Sequence, residues 1–462
     1  NNYAPVVDVN TNPDNPVINT RSYSEDPQQV ADLGTAAVIG FQQQGIMATL
    51  KHFPGHGDTH IDSHLGLPLV EHDIKTIEQK DLVPFKWAIK NSDPAMIMTA
   101  HIQYPALDNS LIETVSGEKT IRPATMSRKI LTDLLRGEMG YKGIIATDAL
   151  DMAGIAHYFD EVTAVAETFV AGADLAVMPF RVREKADIEK FYSFLKAVAH
   201  SIQEKAKQET FSLSEITASI ERINHYKAKY IKLPNTPLVE QVAIAEQQIA
   251  QPQYLALEQT LANNAVNVIS STKTNLPLDV DRIKRIHVFV LNWQEFRAIK
   301  LAITNNWQNS SGEVPDISAT VIAENDAQSQ VVSGEKLAKA DLIIATVDTK
   351  IASVVDIGGA EDLQSQTHLQ NEQKKVSYQQ ILIAQLKKAK LKKVPSVLIV
   401  KGSPFLLKPF NNLVDNIMVT FDDRIYLQAN DIAYSPGYQA SIAILSGKQK
   451  PLGQLPVTLP TN

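Results

Sequence analysis

The stretch Gly143-Ile-Ile-Ala-Thr-Asp-Ala-Leu-Asp-Met152 decides how this chain is read. An apolar run ends in Asp148, with Asp151 just beyond it. Short apolar runs of this kind read as buried strands. A carboxylate at the end of a core strand is costly to bury unless it is paired or used. One use is capping the helix that follows, because Asp accepts hydrogen bonds from free backbone N–H groups. The other is catalysis.

Four more runs have the same form, at residues 3–9, 46–52, 95–101 and 173–178. Amphipathic stretches lie between them, for example 27–44 and 127–138. The alternation implies βα units around a parallel sheet. Asp8, Lys51, His52, His101 and Asp148 fall at the C-terminal ends of these runs. Both (β/α)₈ barrels and open doubly wound sheets place their sites there. The first run begins almost at Asn1, and a domain rarely starts inside a core strand. Further barrel strands, and any export signal, are therefore expected upstream.

Leu233-Pro-Asn-Thr-Pro-Leu238 is a proline-punctuated break. Helical patterns follow at 240–250 and 252–264, the second with Pro252 at a first helical position. Strand-like runs then recur at 286–291, 340–347, 396–400 and 416–421. The expected organisation is an N-terminally incomplete barrel over 1–235, a linker over 236–255 and an α/β/α sandwich over 256–462. A length of 462 residues fits two or three domains. The net charge of −7 gives no support to a nucleic-acid partner. The absence of cysteine excludes disulfides, thiolate metal sites and a cysteine nucleophile. No apolar run approaches the ~20 residues of a membrane span.

The second informative stretch is Lys51-His-Phe-Pro-Gly-His-Gly-Asp-Thr-His-Ile-Asp-Ser-His-Leu-Gly-Leu-Pro68. His52, His56, His60 and His64 recur every four residues, which on a helix would suggest a zinc site. Pro54, Gly55 and Gly57 break any helix here, so the period has no facial meaning and no metal is expected. In Asp62-Ser-His64 the carboxylate can hydrogen-bond back to the imidazole, fix its tautomer and favour its protonated form. Such a histidine gives a proton near neutral pH and then serves as a base. A serine-hydrolase triad does not fit, because there is no G-x-S-x-G elbow and Ser63 lies between the two partners. The pieces suggest one carboxylate nucleophile and one separate acid/base, the division of labour of retaining glycoside hydrolysis, whose usual acid/base is a second carboxyl group.

Residues 51–68 resemble the loop of glycoside hydrolase family 3 β-N-acetylglucosaminidases of the bacterial cell-wall recycling type. Thr147-Asp-Ala-Leu150 with Met152 resembles that family's nucleophile segment. Asn15-Pro-Val-Ile-Asn-Thr-Arg-Ser-Tyr-Ser-Glu-Asp26 is similar to the stretch bearing its sugar-binding arginine. Residues 172–179 are similar to the next barrel strand, and residues 447–457 to the closing motif of the second domain. The resemblance implies a (β/α)₈ TIM-type barrel followed by an α/β/α sandwich. It makes Asp148 the nucleophile, His64 the acid/base and Asp62 its partner. Arg21, Lys51 and His52 become candidates to hold sugar hydroxyls. His56 and His60 receive no role, and His101 either lines the site or is a satisfied core residue. The implied activity is a retaining exo-β-N-acetylglucosaminidase acting on muropeptides or chito-oligosaccharides, without cofactor and as a monomer. A β-glucosidase, a phosphorylase or a non-catalytic sugar-binding protein on the same scaffold are the alternatives. A bacterial cell-envelope setting is the expected location, with the cytoplasm as the alternative.

Overall fold

The computed structural model describes the chain except residues 62, 64–65, 208–210, 233–234, 250, 271–275, 323–336, 350–365, 428–430 and 460–462. The chain separates into two units. Asn1–Pro234 with Pro456–Thr458 belongs to the first, and Asn235–Ile351 with Gln364–Leu455 to the second.

In the first unit four strands pair in chain order: β1 (Thr49–Phe53), β2 (Met96–Thr99), β3 (Ile144–Ala149) and β4 (Leu175–Val177). All the pairings are parallel. Every residue of β2 is buried, which is why it reads as a continuous apolar run. The expected strand at residues 3–9 runs extended beside β1. It joins β1 through the bridges Asn2 to Ala48 and Val6 to Lys51, and through Val7 N–H to the Lys51 carbonyl at 2.7 Å. Strands added in chain order with parallel pairing form the arc of a barrel.

Helix α1 (Pro27–Gln43) starts at Asp26, whose carboxylate accepts from the N–H groups of Gln28 and Gln29, with Pro27 in the first turn. It buries Val30, Ala31, Gly34, Thr35 and Val38, one face at helical spacing. Helix α2 (Val83–Ser92) packs on α1 and buries Phe85, whose ring meets Phe53 edge-on at 5.2 Å. The 127–138 pattern forms a π-type helix, Lys129–Glu138, that buries Ile130, Leu131 and Leu135. At the opening of β4, Asp174 is 5% exposed and bound by Arg136 at 2.5 Å, by Ile145 N–H at 2.8 Å and by Arg222. The Asp174 charge at this amino end of the sheet is paired with two arginines, an arrangement that serves stability.

The second unit begins with the helices α3 (Leu238–Gln248) and α4 (Pro252–Ala265), at the two helical patterns read in the sequence. Its sheet contains β5 (Asn267–Ser270), β6 (Arg285–Val290), β7 (Asp316–Val321), β8 (Leu342–Asp348), β9 (Ser396–Lys401) and β10 (Asn416–Val419). The spatial order is β5-β10-β9-β8-β6-β7, parallel except for the β5–β10 pairing. Helices cover the faces, among them α5 (Trp293–Asn306) and α6 (Pro436–Leu445), and two apolar clusters fill the space between. The order reverses between β6 and β8, the position where doubly wound sheets open a crevice.

Candidate active site

Asp8 is the hub of the site. It ends the extended N-terminal segment and is 1% exposed. Its Oδ1 accepts from the backbone N–H groups of His52 at 3.1 Å and His56 at 2.7 Å, and its Oδ2 from His52 Nδ1 at 2.7 Å. Burial alone would raise the pKa of this carboxyl. Attraction and hydrogen bonding from His52 outweigh that and hold it below the usual range. An ionised carboxylate only accepts, so the proton of the His52 ring sits on Nδ1. Burial pushes the His52 pKa down against the pull of Asp8, so the ring is neutral with Nε2 free to accept.

His52 Nε2 lies 3.9 Å from Asp148 Oδ2. Asp148 comes from the end of β3, and its side chain is 20% exposed. It does not cap the next helix. That helix, Ala153–Ala156, has Met152 at its N-cap, and Asp148 Oδ1 instead accepts from Ala149 N–H at 2.8 Å. Asp151 pairs with Arg181 at 3.0 Å. Lys51, beside His52 on β1, is half-buried. Burial lowers its pKa, and the positive charge of Arg21 lowers it further, while Asp148 and Asp8 oppose both. Arg21 stands in the turn Asn19–Arg21 with Nη1 donating to the Val17 carbonyl at 3.2 Å. Two carboxylates, two cations and an imidazole thus share one field at the carboxyl end of the arc.

The histidine loop leaves β1 at Phe53 as an irregular segment. Its histidines face different partners. His56 Nδ1 is 2.7 Å from Thr59 Oγ1 and its Nε2 3.1 Å from Ser63 Oγ, while His60 is exposed beside Asn12. Two glycines explain how the loop packs. A Cβ on Gly57 would stand 1.7 Å from the Val9 carbonyl oxygen, so only glycine fits there. A Cβ on Gly154 would stand 2.6 Å from the Ser63 carbonyl oxygen, which accepts from Gly154 N–H at 3.0 Å. The loop is thereby fastened near the N-terminal segment and again just beyond β3. Asp62 and His64 lie outside the described residues.

Of the residues singled out in the sequence, Asp148, Lys51, His52 and Arg21 come together. His101 is 1% exposed, with Nε2 2.9 Å from the carbonyl of Ala149, which places it against the backbone of β3. The sequence marked Asp8 as a strand-end residue without revealing it as the partner of His52. It gave no sign of His72, whose Nε2 lies 3.0 Å from Asp58 Oδ2 and whose Nδ1 lies 2.8 Å from Asp81 Oδ2.

Lys51 and His52 from β1 and Asp148 from β3, with Asp8 and Arg21 from the segment before β1, meet at the carboxyl ends of parallel strands, where barrel enzymes place their sites. Residues 1–225 match the glycosyl hydrolase family 3 N-terminal domain. The chain is 39% identical to β-hexosaminidase A of Pseudoalteromonas piscicida, over 99% of its own length and 73% of that protein's. Among solved structures it resembles a family 3 β-N-acetylglucosaminidase from Paenibacillus sp. str. FPU-7, with a TM-score of 0.70 and 24% identity over 99% of this chain and 76% of the other. A β-glucoside phosphorylase has the same architecture, with a TM-score of 0.69 and 20% identity over 99% and 74%. The chain belongs to glycoside hydrolase family 3. It is a glycoside hydrolase with a TIM-type barrel followed by an α/β sandwich.

Proposed function

We propose that the chain is a retaining exo-β-N-acetylglucosaminidase that removes terminal N-acetylglucosamine from muropeptides or chito-oligosaccharides. The observation that carries this reading is Asp148. It is a partly exposed carboxylate at the end of β3, beside an imidazole whose tautomer is already fixed. The match to a β-hexosaminidase over nearly the whole chain supports the sugar class.

In the first step the Asp148 carboxylate attacks the anomeric carbon. The bond to the leaving oxygen breaks as the His64 imidazolium, partnered by Asp62, protonates that oxygen. The product is a glycosyl ester on Asp148. In the second step neutral His64 takes a proton from water, the resulting oxygen attacks the same carbon, and the Asp148 carboxylate is released. The transition states carry positive charge at the sugar ring, which the carboxylate stabilises. His52 Nε2 accepts from one sugar hydroxyl, and Lys51 and Arg21 donate to others.

The test is a paired assay on aryl β-N-acetylglucosaminide and aryl β-glucoside, with and without phosphate. Expected is hydrolysis of the first at a rate that phosphate leaves unchanged. Preference for the glucoside, or a sugar phosphate as the main product, would move the chain to the alternative activities on this scaffold. No turnover of either would identify a sugar-binding protein. An activated leaving group is expected to rescue His64→Ala in part and Asp148→Ala not at all.

A further inference from the structure

Beyond the site, one charged cluster binds the base of the histidine loop. His72 lies outside the sequence motif, yet both its ring nitrogens point at carboxylates, Asp58 Oδ2 at 3.0 Å and Asp81 Oδ2 at 2.8 Å. Because carboxylates accept, a ring held this way carries both protons and a positive charge. The two carboxylates come from different places. Asp58 is on the loop and also accepts from Thr11 Oγ1 at 3.1 Å. Asp81 closes the helical turn Ile77–Asp81 and is 5% exposed. Tyr104 adds a second tie, its hydroxyl donating to the Gly55 carbonyl at 2.6 Å. The chain returns from the loop at Leu69 and Val70, which pair with Gln103, and His72 follows at once. The loop's exit is thus fastened to its entry.

We propose that His72 is a positioning residue: the Asp58–His72–Asp81 clamp fixes the entry of the histidine loop against the barrel and so sets where the loop delivers its proton donor. The catalytic consequence rests on His64 being that donor, while the clamp itself does not. The groups facing the ring are Asp58 and Asp81, with Asp73 nearby; Tyr104 and Lys80 act on Asp81 and His60 on Asp58. The two carboxylates raise the pKa of His72 from 6.5 to about 10, so the ring keeps its charge through the neutral range. Loss of the charge leaves Asp81 buried without its cation and frees Asp58 to turn to solvent. Misplacement of a reacting group by about 1 Å costs on the order of 10²-fold in rate.

The experiment compares wild type, His72→Gln, His72→Lys and Asp58→Asn on two substrates, a 4-nitrophenyl β-N-acetylglucosaminide and an N-acetylglucosamine disaccharide. Loop opening is read in the same proteins by hydrogen–deuterium exchange. Expected for His72→Gln and Asp58→Asn is a kcat/KM loss of roughly 10–100-fold on the disaccharide and less than about 3-fold on the nitrophenyl substrate, because kcat/KM reports the first step, where only the poor leaving group needs the proton. Amides of residues 53–61 should exchange faster, and His72→Lys, which keeps a cation, should recover part of the disaccharide rate. Equal losses on both substrates, tracking a lowered melting temperature, would mean a merely structural role and overturn the proposal. Unchanged exchange at 53–61 would overturn it too. His64→Ala on the same substrates separates the two readings. If it lacks leaving-group dependence, the donor assignment fails, while exchange still decides the clamp.

Discussion

Both units gather charge at the carboxyl ends of parallel strands, and they treat it in opposite ways. In the second unit Glu295, in the first turn of α5, is 1% exposed, and Lys401, ending β9, is 6% exposed. Glu295 Oε1 binds the Lys401 ammonium, and Oε2 accepts from Leu291 N–H at 2.9 Å and Thr346 Oγ1 at 3.0 Å. Burial works against the ammonium, but Glu295 holds the Lys401 pKa above its ordinary value. The void among Leu291, Glu295, Thr346, Asp348 and Tyr378 is about 10 Å³, the space of one water-sized sphere. In the first unit Asp8 is equally saturated, but it passes its order outward. His52 Nε2 lies 3.9 Å from Asp148, whose side chain is 20% exposed. A strand end becomes a site where the buried charge orients a second group and leaves that group accessible. Where the charges satisfy each other, the same location is a lock.

The most severe way to test this contrast is Asp148→Ala. Hydrolysis is expected to fall by ~10⁴-fold or more, as when other enzymes lose their nucleophile. The melting temperature should shift by no more than about 2 °C, because a partly exposed carboxylate is removed. A variant that kept most of its activity would remove Asp148 from the mechanism.

Glu295→Ala should do the reverse. It leaves an ammonium buried without its partner, which costs about 3–5 kcal/mol of stability. A calorimetric transition lowered by several degrees is expected. A stability unchanged within 1 kcal/mol would show that the cluster is not a lock.

These two variants also indicate what the sequence could and could not reveal. The strands were legible because parallel strands bury both faces and read as apolar runs, as at Met96–Thr99. Residues 3–9 are legible as a strand in the same way, and they run extended beside β1, held by the Val6–Lys51 bridge and by backbone hydrogen bonds of Val7 with Lys51 and of Thr49 with Ala4. Asp148, Lys51 and His52 were legible because strand ends and a glycine-rich loop mark them. The arrangement around Asp8 was not, because a hub is defined by what converges on it, and His52 and His56 lie far along the chain. His72 was illegible for the same reason. Its meeting with Asp58 depends on the return pairing at Gln103, which no local pattern encodes.

Asp8→Asn tests whether order is passed outward. The amide keeps one acceptor but brings a donor toward the His52 ring, so the tautomer lock is lost. Hydrogen bonds to a charged acceptor contribute about 1.5–3 kcal/mol, and a comparable loss of transition-state stabilisation is expected, with kcat falling more than KM rises. An Asp8→Asn enzyme with wild-type kcat would place the tautomer lock outside the reaction.

The His72 clamp predicts a smaller effect, visible in stability against pH. Its pKa in the folded protein, about 10, lies above the value of 6.5 expected when unfolded. The folded state therefore holds the extra proton between those values, and stability falls as pH rises through that window. The clamp's contribution is complete below about 6.5 and lost as pH passes about 10. Melting curves at pH 6, 8 and 10 should show a steeper decline for wild type than for His72→Gln. Parallel declines would mean that His72 is not charged across that range.

The smallest change is expected from the variant that sharpens the comparison most, the double replacement Glu295→Met with Lys401→Leu. Each single replacement leaves one charge buried alone, whereas the double replacement removes both desolvation penalties together with the attraction between them. Buried pairs replaced by apolar groups of similar volume are often neutral or stabilising. Thr346 Oγ1 and Leu291 N–H lose an acceptor, which sets a cost of about 1–3 kcal/mol against that gain. The double variant should therefore lie within about 1–2 kcal/mol of wild type and well above Glu295→Ala. The matching exchange in the first unit, Asp8→Leu with His52→Leu, removes a pair just as well buried, yet under the proposed function it should abolish hydrolysis, because there His52 is assigned to the substrate. If both exchanges were tolerated, or both destroyed the fold alone, the distinction between a lock and a site at these strand ends would not stand.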